Sequence, residues 1–157
     1  MDLPPAVGVA VLAWGEAHRR DLPWRRTRDP WAVLVSEFML QQTQVARVVP
    51  KYWAFLDRFP TADACDAARR ADVVRVWDGL GYNRRAVRLH AAATAVATAG
   101  GFPSTRAALQ ALPGVGPYTA RAVLAYAFEA DAAVVDTNVA RVLARVHGRS
   151  LRPGEAQ

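Results

Sequence analysis

The sequence predicts an all-α protein, on three observations. No stretch keeps the apolar–polar alternation of a strand, whereas apolar residues recur at three- and four-residue spacing along most of the chain. Prolines stand where helices open, at Pro30 and Pro117, and glycines where they stop, at Gly100 and Gly148. With 52% hydrophobic and 22% charged residues among 157, there is material for a core and no mark of a disordered chain.

Val7, Ala10, Val11 and Trp14 outline a first amphipathic helix. Arg19-Arg20-Asp21-Leu22-Pro23-Trp24-Arg25-Arg26 reads as a loop. Pro30 opens a helix to about Leu40 that is apolar almost all round, which is the pattern of a buried helix. Gln41-Gln42-Thr43-Gln44 breaks it. Val45, Val48, Val49, Tyr52, Leu56 and Phe59 mark a third helix, kinked at Pro50 and ended by Pro60. Two short helical pieces over 61–68 and 70–78 lead to a glycine-bracketed turn, Gly79-Leu80-Gly81-Tyr82. A helix over 84–99 stops at Gly100-Gly101, and Ser104 caps a short helix entering a second glycine-bracketed turn, Leu112-Pro113-Gly114-Val115-Gly116. The helix from Pro117 carries a stripe of Ala120, Val123, Leu124, Ala127 and Phe128. Ala132-Ala133-Val134-Val135 is an extended link. Asp136-Thr137-Asn138 caps a last helix with Val139, Val142, Leu143 and Val146 inward, which Gly148 ends before a polar tail.

Composition narrows the functional classes. The net charge of +6 suits a polyanion, nucleic acid first, and Lys51 is the sole lysine, so arginine carries the charge. No apolar run reaches the ~18 residues of a membrane span and the N-terminus is no signal peptide, so the expected place is the cytoplasm, with no membrane partner. Cys65 is the lone cysteine, and His18, His90 and His147 are far apart, so no metal site is expected.

Three places can carry chemistry. In the 112–116 turn, two glycines let the backbone take positive φ and approach another molecule, with N–H groups facing out at a helix N-terminus. The turn is then either a phosphate site or an ordinary glycine-capped corner. Glu37 lies inside the least polar helix, where a carboxyl with a raised pKa can serve as a general acid, or where it reaches solvent or an arginine. Asp136 starts a helix and serves as its N-cap unless Asn138 does, which would free one of the two for another task.

The glycine-bracketed turn, followed by Asp136 twenty residues on, resembles the helix-hairpin-helix DNA glycosylase superfamily. Within it, Leu22-Pro23-Trp24-Arg25, Ser36-Glu37-x-Met39-Leu40-Gln41-Gln42-Thr43-Gln44-Val45, Gly79-Leu80-Gly81-Tyr82 and Val135-Asp136-x-Asn138-Val139 resemble the MutY-type adenine DNA glycosylases, from about Arg19 to Gly148. The resemblance implies a bacterial base excision repair enzyme with a six-helix core plus part of a second helical domain. Residues 1–18 and 131–157 would belong to that partial cluster domain, and 19–130 to the core. The implied substrate is duplex DNA with adenine opposite 8-oxoguanine or guanine, bound by a monomer.

The resemblance also assigns roles. Glu37 would protonate the flipped adenine and handle water, and Asp136 would stabilise the oxocarbenium-like sugar. Tyr118 and Asn138 would orient the site, with Trp24 and Arg25 lining the base pocket. Gln42 and Thr43 would enter the duplex beside the mispair, Leu80 and Tyr82 would meet the opposite strand, and Gly114, Val115 and Gly116 would hold a phosphate. The lyase branch carries a lysine nucleophile where this chain has Tyr118, so no Schiff-base chemistry is expected. Family members also carry a four-cysteine [4Fe-4S] loop and a domain that checks for 8-oxoguanine. Neither is in this sequence, which implies a truncated form with no cofactor of its own. A thymine or uracil glycosylase and a non-catalytic DNA-binding module are the rival readings.

Overall fold

The computed structural model describes residues 5–148, all helix and connecting turn with no strand among them. The polar tail expected after Gly148 lies outside the described residues, as do positions 1–4. The helices are α1 (Pro5–His18), α2 (Pro30–Leu40), α3 (Val45–Arg58), α4 (Ala62–Asp66), α5 (Arg70–Val76), α6 (Arg84–Thr98), α7 (Arg106–Gln110), α8 (Pro117–Ala127) and α9 (Thr137–Val146), with a 3₁₀ turn at Pro23–Arg25. Among the described residues, no helix is long and apolar enough to cross a membrane. The described residues divide into two compact units, one running from Pro23 to Val134 and the other made of the described residues up to Leu22 and from Val135 onward.

The larger unit is built round α2. Asp29 caps it, its carboxylate accepting from the Trp31 N–H at 3.0 Å and the Ala32 N–H at 3.4 Å, and Pro30 takes the first-turn position where its missing N–H costs nothing. Every residue from Trp31 to Met39 is buried, as the all-round apolar pattern requires, because α3, α6 and α8 pack on α2 from different sides. Each fully buried Leu, Val, Phe or Met contributes roughly 1.5–3 kcal/mol relative to exposure, so α2 alone anchors much of this unit. Trp31 Nε1 donates to the Phe59 carbonyl at 3.0 Å and fixes the end of α3 against α2.

Three expectations shift by a residue or a face. The core position at the end of α3 is Phe55, whose ring lies 5.1 Å from Phe59 and 6.0 Å from Trp77, while Leu56 is only half-buried. Helix α3 needs the larger ring to fill the space between Trp31 and Trp77. Thr105, not Ser104, caps α7: its extended backbone places Oγ1 3.3 Å from the Ala108 N–H, the register that buries Leu109 and Leu112. Phe128, expected on the inward stripe of α8, is partly exposed, because the buried face ends at Leu124.

The smaller unit departs further from the amphipathic picture. Helix α1 forms, but none of its described side chains is buried: Val9 and Leu12 stand off the Val7–Val11–Trp14 line, so the apolar residues run round the helix and no single face collects them. Helix α9 ends at Gly148 as expected, with φ +63°, yet Val139, Val142 and Val146 are exposed rather than inward.

Candidate active site

The hairpin between α7 and α8 is built inward as much as outward. Leu112 and Val115 bury their side chains, and the Val115 N–H donates to the Leu112 carbonyl at 3.1 Å, so this amide is spent within the turn. Only Gly114 takes positive φ, at +82°. A Cβ there would stand 2.9 Å from Arg88 Cβ and 3.1 Å from Phe38 Cε1, so the close approach Gly114 permits is to α6 and α2 of this chain. Gly116 is extended, at φ −89° and ψ 177°, and a Cβ on it would meet nothing within 4 Å. Its carbonyl accepts the Ala120 N–H at 3.0 Å, and the amides of the first turn of α8 precede the helical ladder. The open side of the hairpin therefore lies at Gly116 and the start of α8, at the positive end of the helix dipole.

Glu37 is buried in α2, 8% exposed, and with Ser36 it supplies the buried polar groups of that helix. Two turns of chain beside α2 carry the residues expected to enter DNA. In the α2–α3 loop, Gln42 is exposed and held at φ +56°. In the α5–α6 loop, Gly79 and Gly81 take φ +85° and +73°, and Tyr82 is 66% exposed at φ +50°. Non-glycine residues in this left-handed region are strained by about 1–3 kcal/mol, and such strain concentrates at functional sites. Leu80 is buried, and its carbonyl also faces inward, where it accepts from Arg85 Nη2 at 3.1 Å. Thr43 Oγ1 lies 3.3 Å from that carbonyl and joins the two loops.

The residue that sequence reasoning missed is Arg85. Its guanidinium is buried below both loops and reaches six oxygens: those of Phe38, Met39, Gln41, Thr43, Leu80 and Gly81. It stands 5.5 Å from the ring centroids of Trp77 and of Tyr82. Burial holds this guanidinium below its ordinary pKa, with Tyr82 pulling the other way. The signal was in the sequence: Arg85, Leu89, Ala92, Ala93 and Val96 share the buried face of α6, so an arginine occupies an apolar stripe.

Trp24, on the 3₁₀ turn, is buried against Tyr52 at 5.4 Å between ring centroids, and Arg25 beside it is exposed. Burial, helped by Asp29, pushes the Tyr52 phenol up to about 12. Tyr118, the second residue of α8, is partly exposed. Asp136 and Asn138 belong to the other unit. Asp136 is itself the N-cap of α9: Oδ1 accepts the Val139 N–H at 2.7 Å, and Asn138 Nδ2 lies 3.4 Å from Oδ2. Asn138 is thus a neighbour of the cap and not a second cap. An iron–sulfur cluster needs several thiolates; the single cysteine, Cys65, is buried in α4 with its thiol pushed up to about 12 by burial and by Asp66, so the residues present do not fit that group. Among the described residues, no three His, Cys, Asp or Glu gather as metal ligands.

Comparison with known proteins gives this geometry a context. The family model described as HhH-GPD superfamily base excision DNA repair protein matches residues 35–157. The chain is 50% identical over 153 residues to a protein of Mycolicibacterium smegmatis named Adenine DNA glycosylase, covering 95% of this chain and 52% of that protein. It is 43% identical over 155 residues to the human protein of the same name, covering 92% of this chain and 28% of that one. The chain thus spans about half the length, or less, of these relatives. Among solved structures, a thermostable thymine-DNA glycosylase aligns with TM-score 0.82 and 34% identity, over 88% of this chain and 65% of that one. A non-covalent endonuclease III–DNA complex aligns with TM-score 0.75 at 23% identity, over 90% of this chain and 68% of that one, which shows the shared fold.

Proposed function

The chain belongs to the HhH-GPD superfamily of base excision DNA repair proteins, and we propose that it carries the adenine-releasing part of a DNA glycosylase. The observation that supports this best is Glu37. It is a carboxyl group buried on the least polar helix, a few residues before the exposed, left-handed Gln42. A general acid needs that kind of water-poor setting to hold its proton for a leaving base.

In this reading the protein binds duplex DNA as a monomer in the cytoplasm. Gly114, Val115 and Gly116 form the turn that meets a backbone phosphate, with Gly116 on its open side. Gln42, Thr43, Leu80 and Tyr82 belong to the two loops that face the bases, and Tyr82 and Gln42 are the exposed tips. The adenine, opposite 8-oxoguanine or guanine, leaves the stack at a cost of roughly a few kcal/mol. Trp24 and Arg25 receive it, Glu37 protonates it, and Glu37 then helps activate water. The ionised Asp136 stabilises the positive charge that develops on the sugar, with Asn138 and Tyr118 orienting the groups. Tyr118 offers no amine, so the reaction ends at base release.

The test is base release from duplexes holding A opposite 8-oxoguanine, A opposite G, T opposite G and U opposite G. Release confined to the adenine duplexes supports the reading. Release of thymine instead would favour the second reading, for which the 34% identity to a thymine-DNA glycosylase is the motive. Binding without release of any base would leave a DNA-binding module.

A further inference from the structure

We propose that Arg85 is a positioning residue that locks the Gln42 loop and the Tyr82 loop into one rigid two-pronged wedge for duplex DNA. The proposal rests on the reading that this face of the molecule meets DNA.

The argument starts from hydrogen-bond arithmetic. Helix α2 ends at Leu40, so the carbonyls of its last turn lack helical partners and carry the negative end of the helix dipole. Arg85 Nη1 donates to the Phe38 carbonyl at 2.9 Å and the Met39 carbonyl at 3.0 Å, and also to the Gln41 carbonyl. Its Nη2 donates to Thr43 Oγ1 at 3.0 Å, the Leu80 carbonyl at 3.1 Å and the Gly81 carbonyl at 3.0 Å. The four Nη hydrogens are shared over these acceptors as three-centre bonds. One planar cation therefore serves as the C-cap of α2 and as the floor of both loops at once. Its acceptors are neutral oxygens, so the bonds are charge-assisted and the stabilisation is lodged in the loops themselves.

Each loop is strained where it points outward: Gln42 at φ +56° and Tyr82 at φ +50° are both exposed. Left-handed backbone at a non-glycine persists only where surroundings over-determine it. Arg85 supplies that determination from below. It bonds the residues on either side of Gln42, and its guanidinium lies 5.5 Å from the Tyr82 ring. The Arg85 N–H closes the second loop on the Tyr82 carbonyl at 2.8 Å. The separation of the two prongs is thus fixed before DNA arrives, which reduces the ordering that insertion requires. Lysine cannot do this: an ammonium offers three donors from one point, not a fork wide enough for both loops.

The experiment compares the wild-type chain with Arg85→Met and Arg85→Lys on two duplexes, one fully paired and one with a tetrahydrofuran abasic analogue. The analogue leaves a gap in the stack that a wedge fills, and no base is released in the assay. Failure of the glycosylase reading appears in base release and is separate from failure here. Expected for Arg85→Met is a loss of abasic preference on the order of tenfold, with paired-duplex affinity held by the hairpin. Amide exchange in free protein should rise at least about tenfold over 41–44 and 79–82 together, with the core of α6 still protected. Arg85→Lys keeps a cation at the end of α2, so it should restore the melting temperature and not the discrimination. A wild-type chain with no abasic preference, exchange that rises in one loop only, or equal loss on both duplexes in Arg85→Lys would overturn the proposal.

Discussion

Phe38 Cε1 stands 3.1 Å from the place a Cβ on Gly114 would occupy, so the hairpin is seated on the central helix by the absence of one carbon. The same carbon would press on Arg88 Cβ at 2.9 Å, and the backbone there holds φ +82°. Gly114→Ala adds overpacking to left-handed strain and should destabilise the protein by roughly 2–4 kcal/mol. Gly116→Ala meets open space in extended backbone and should shift stability by less than about 1 kcal/mol. Urea midpoints of the two variants give the comparison; equal losses would mean that the two glycines are not specialised in this way.

The general-acid role is tested by Glu37→Gln, which keeps the volume and hydrogen-bonding capacity of a buried side chain on α2. Base release should fall at least ~10²-fold with duplex affinity kept. A variant that turns over at the normal single-turnover rate would remove Glu37 from the chemistry.

How much of this was legible in the sequence follows from where each signal originates. Buried α2 was plain because seven of its nine successive buried residues are apolar, Ser36 and Glu37 being the exceptions. The Gly114 turn was legible as a turn, but the contact that demands glycine comes from Arg88 and Phe38, on helices distant in sequence. Arg85 hid for a related reason: an arginine near a basic stretch reads as surface until the α2 carbonyls are seen above it. Helices α1 and α9 misled in the opposite direction: in α1 Val9 and Leu12 stand off the expected stripe, and in α9 periodicity reports that a face is apolar and not that something covers it.

That difference between periodicity and cover has a measurable consequence. Val142 is 52% exposed, whereas Val123 and Leu89 are fully buried. In this chain Val142→Ser should change stability by less than about 0.5 kcal/mol. Leu89→Ala should cost roughly 2–5 kcal/mol. Thermal melting of the three proteins checks both values, and a large loss in Val142→Ser would show that α9 is packed after all.

Alkaline stability follows from two buried acids. The Cys65 thiol is pushed up from 9.0 to about 12, mainly by burial, and the Tyr52 phenol from 10.0 to about 12, again mainly by burial. Both groups are neutral when folded, so their contribution is intact below pH 9 and is lost as pH rises from about 9 to about 12, where the unfolded chain gives up protons first. Melting temperature should fall across that window. The fall should be shallower in Cys65→Ala and in Tyr52→Phe, each of which removes one titration. A slope unchanged in both variants would place the alkaline transition elsewhere.

The lyase question turns on Tyr118, the second residue of α8. A phenol cannot form a Schiff base, and the sole lysine, Lys51, lies on α3 with Nζ 3.8 Å from the position of a Gly79 Cβ, beside the other loop. Borohydride should therefore trap no efficient protein–DNA adduct. Strong trapping that disappears in Lys51→Gln would reverse this prediction.

Asp136 allows its two possible roles to be separated in one residue. One carboxylate oxygen caps α9 by accepting the Val139 N–H at 2.7 Å, a structural task that asparagine performs about as well. Charge stabilisation of a cationic sugar needs the anion, which asparagine lacks. Asp136→Asn should then melt within a degree or two of wild type, in keeping with a cap change of a few tenths of a kcal/mol, yet lose base release by at least ~10²-fold. Asp136→Ala should lose the same activity and in addition about 1 kcal/mol of local stability, read as faster amide exchange in the first turn of α9. The decisive comparison is between the two variants in single turnover on a duplex with A opposite 8-oxoguanine. If Asp136→Asn releases adenine normally while Asp136→Ala does not, the carboxylate is a helix cap and no more, and the positive charge on the sugar must be met by another group.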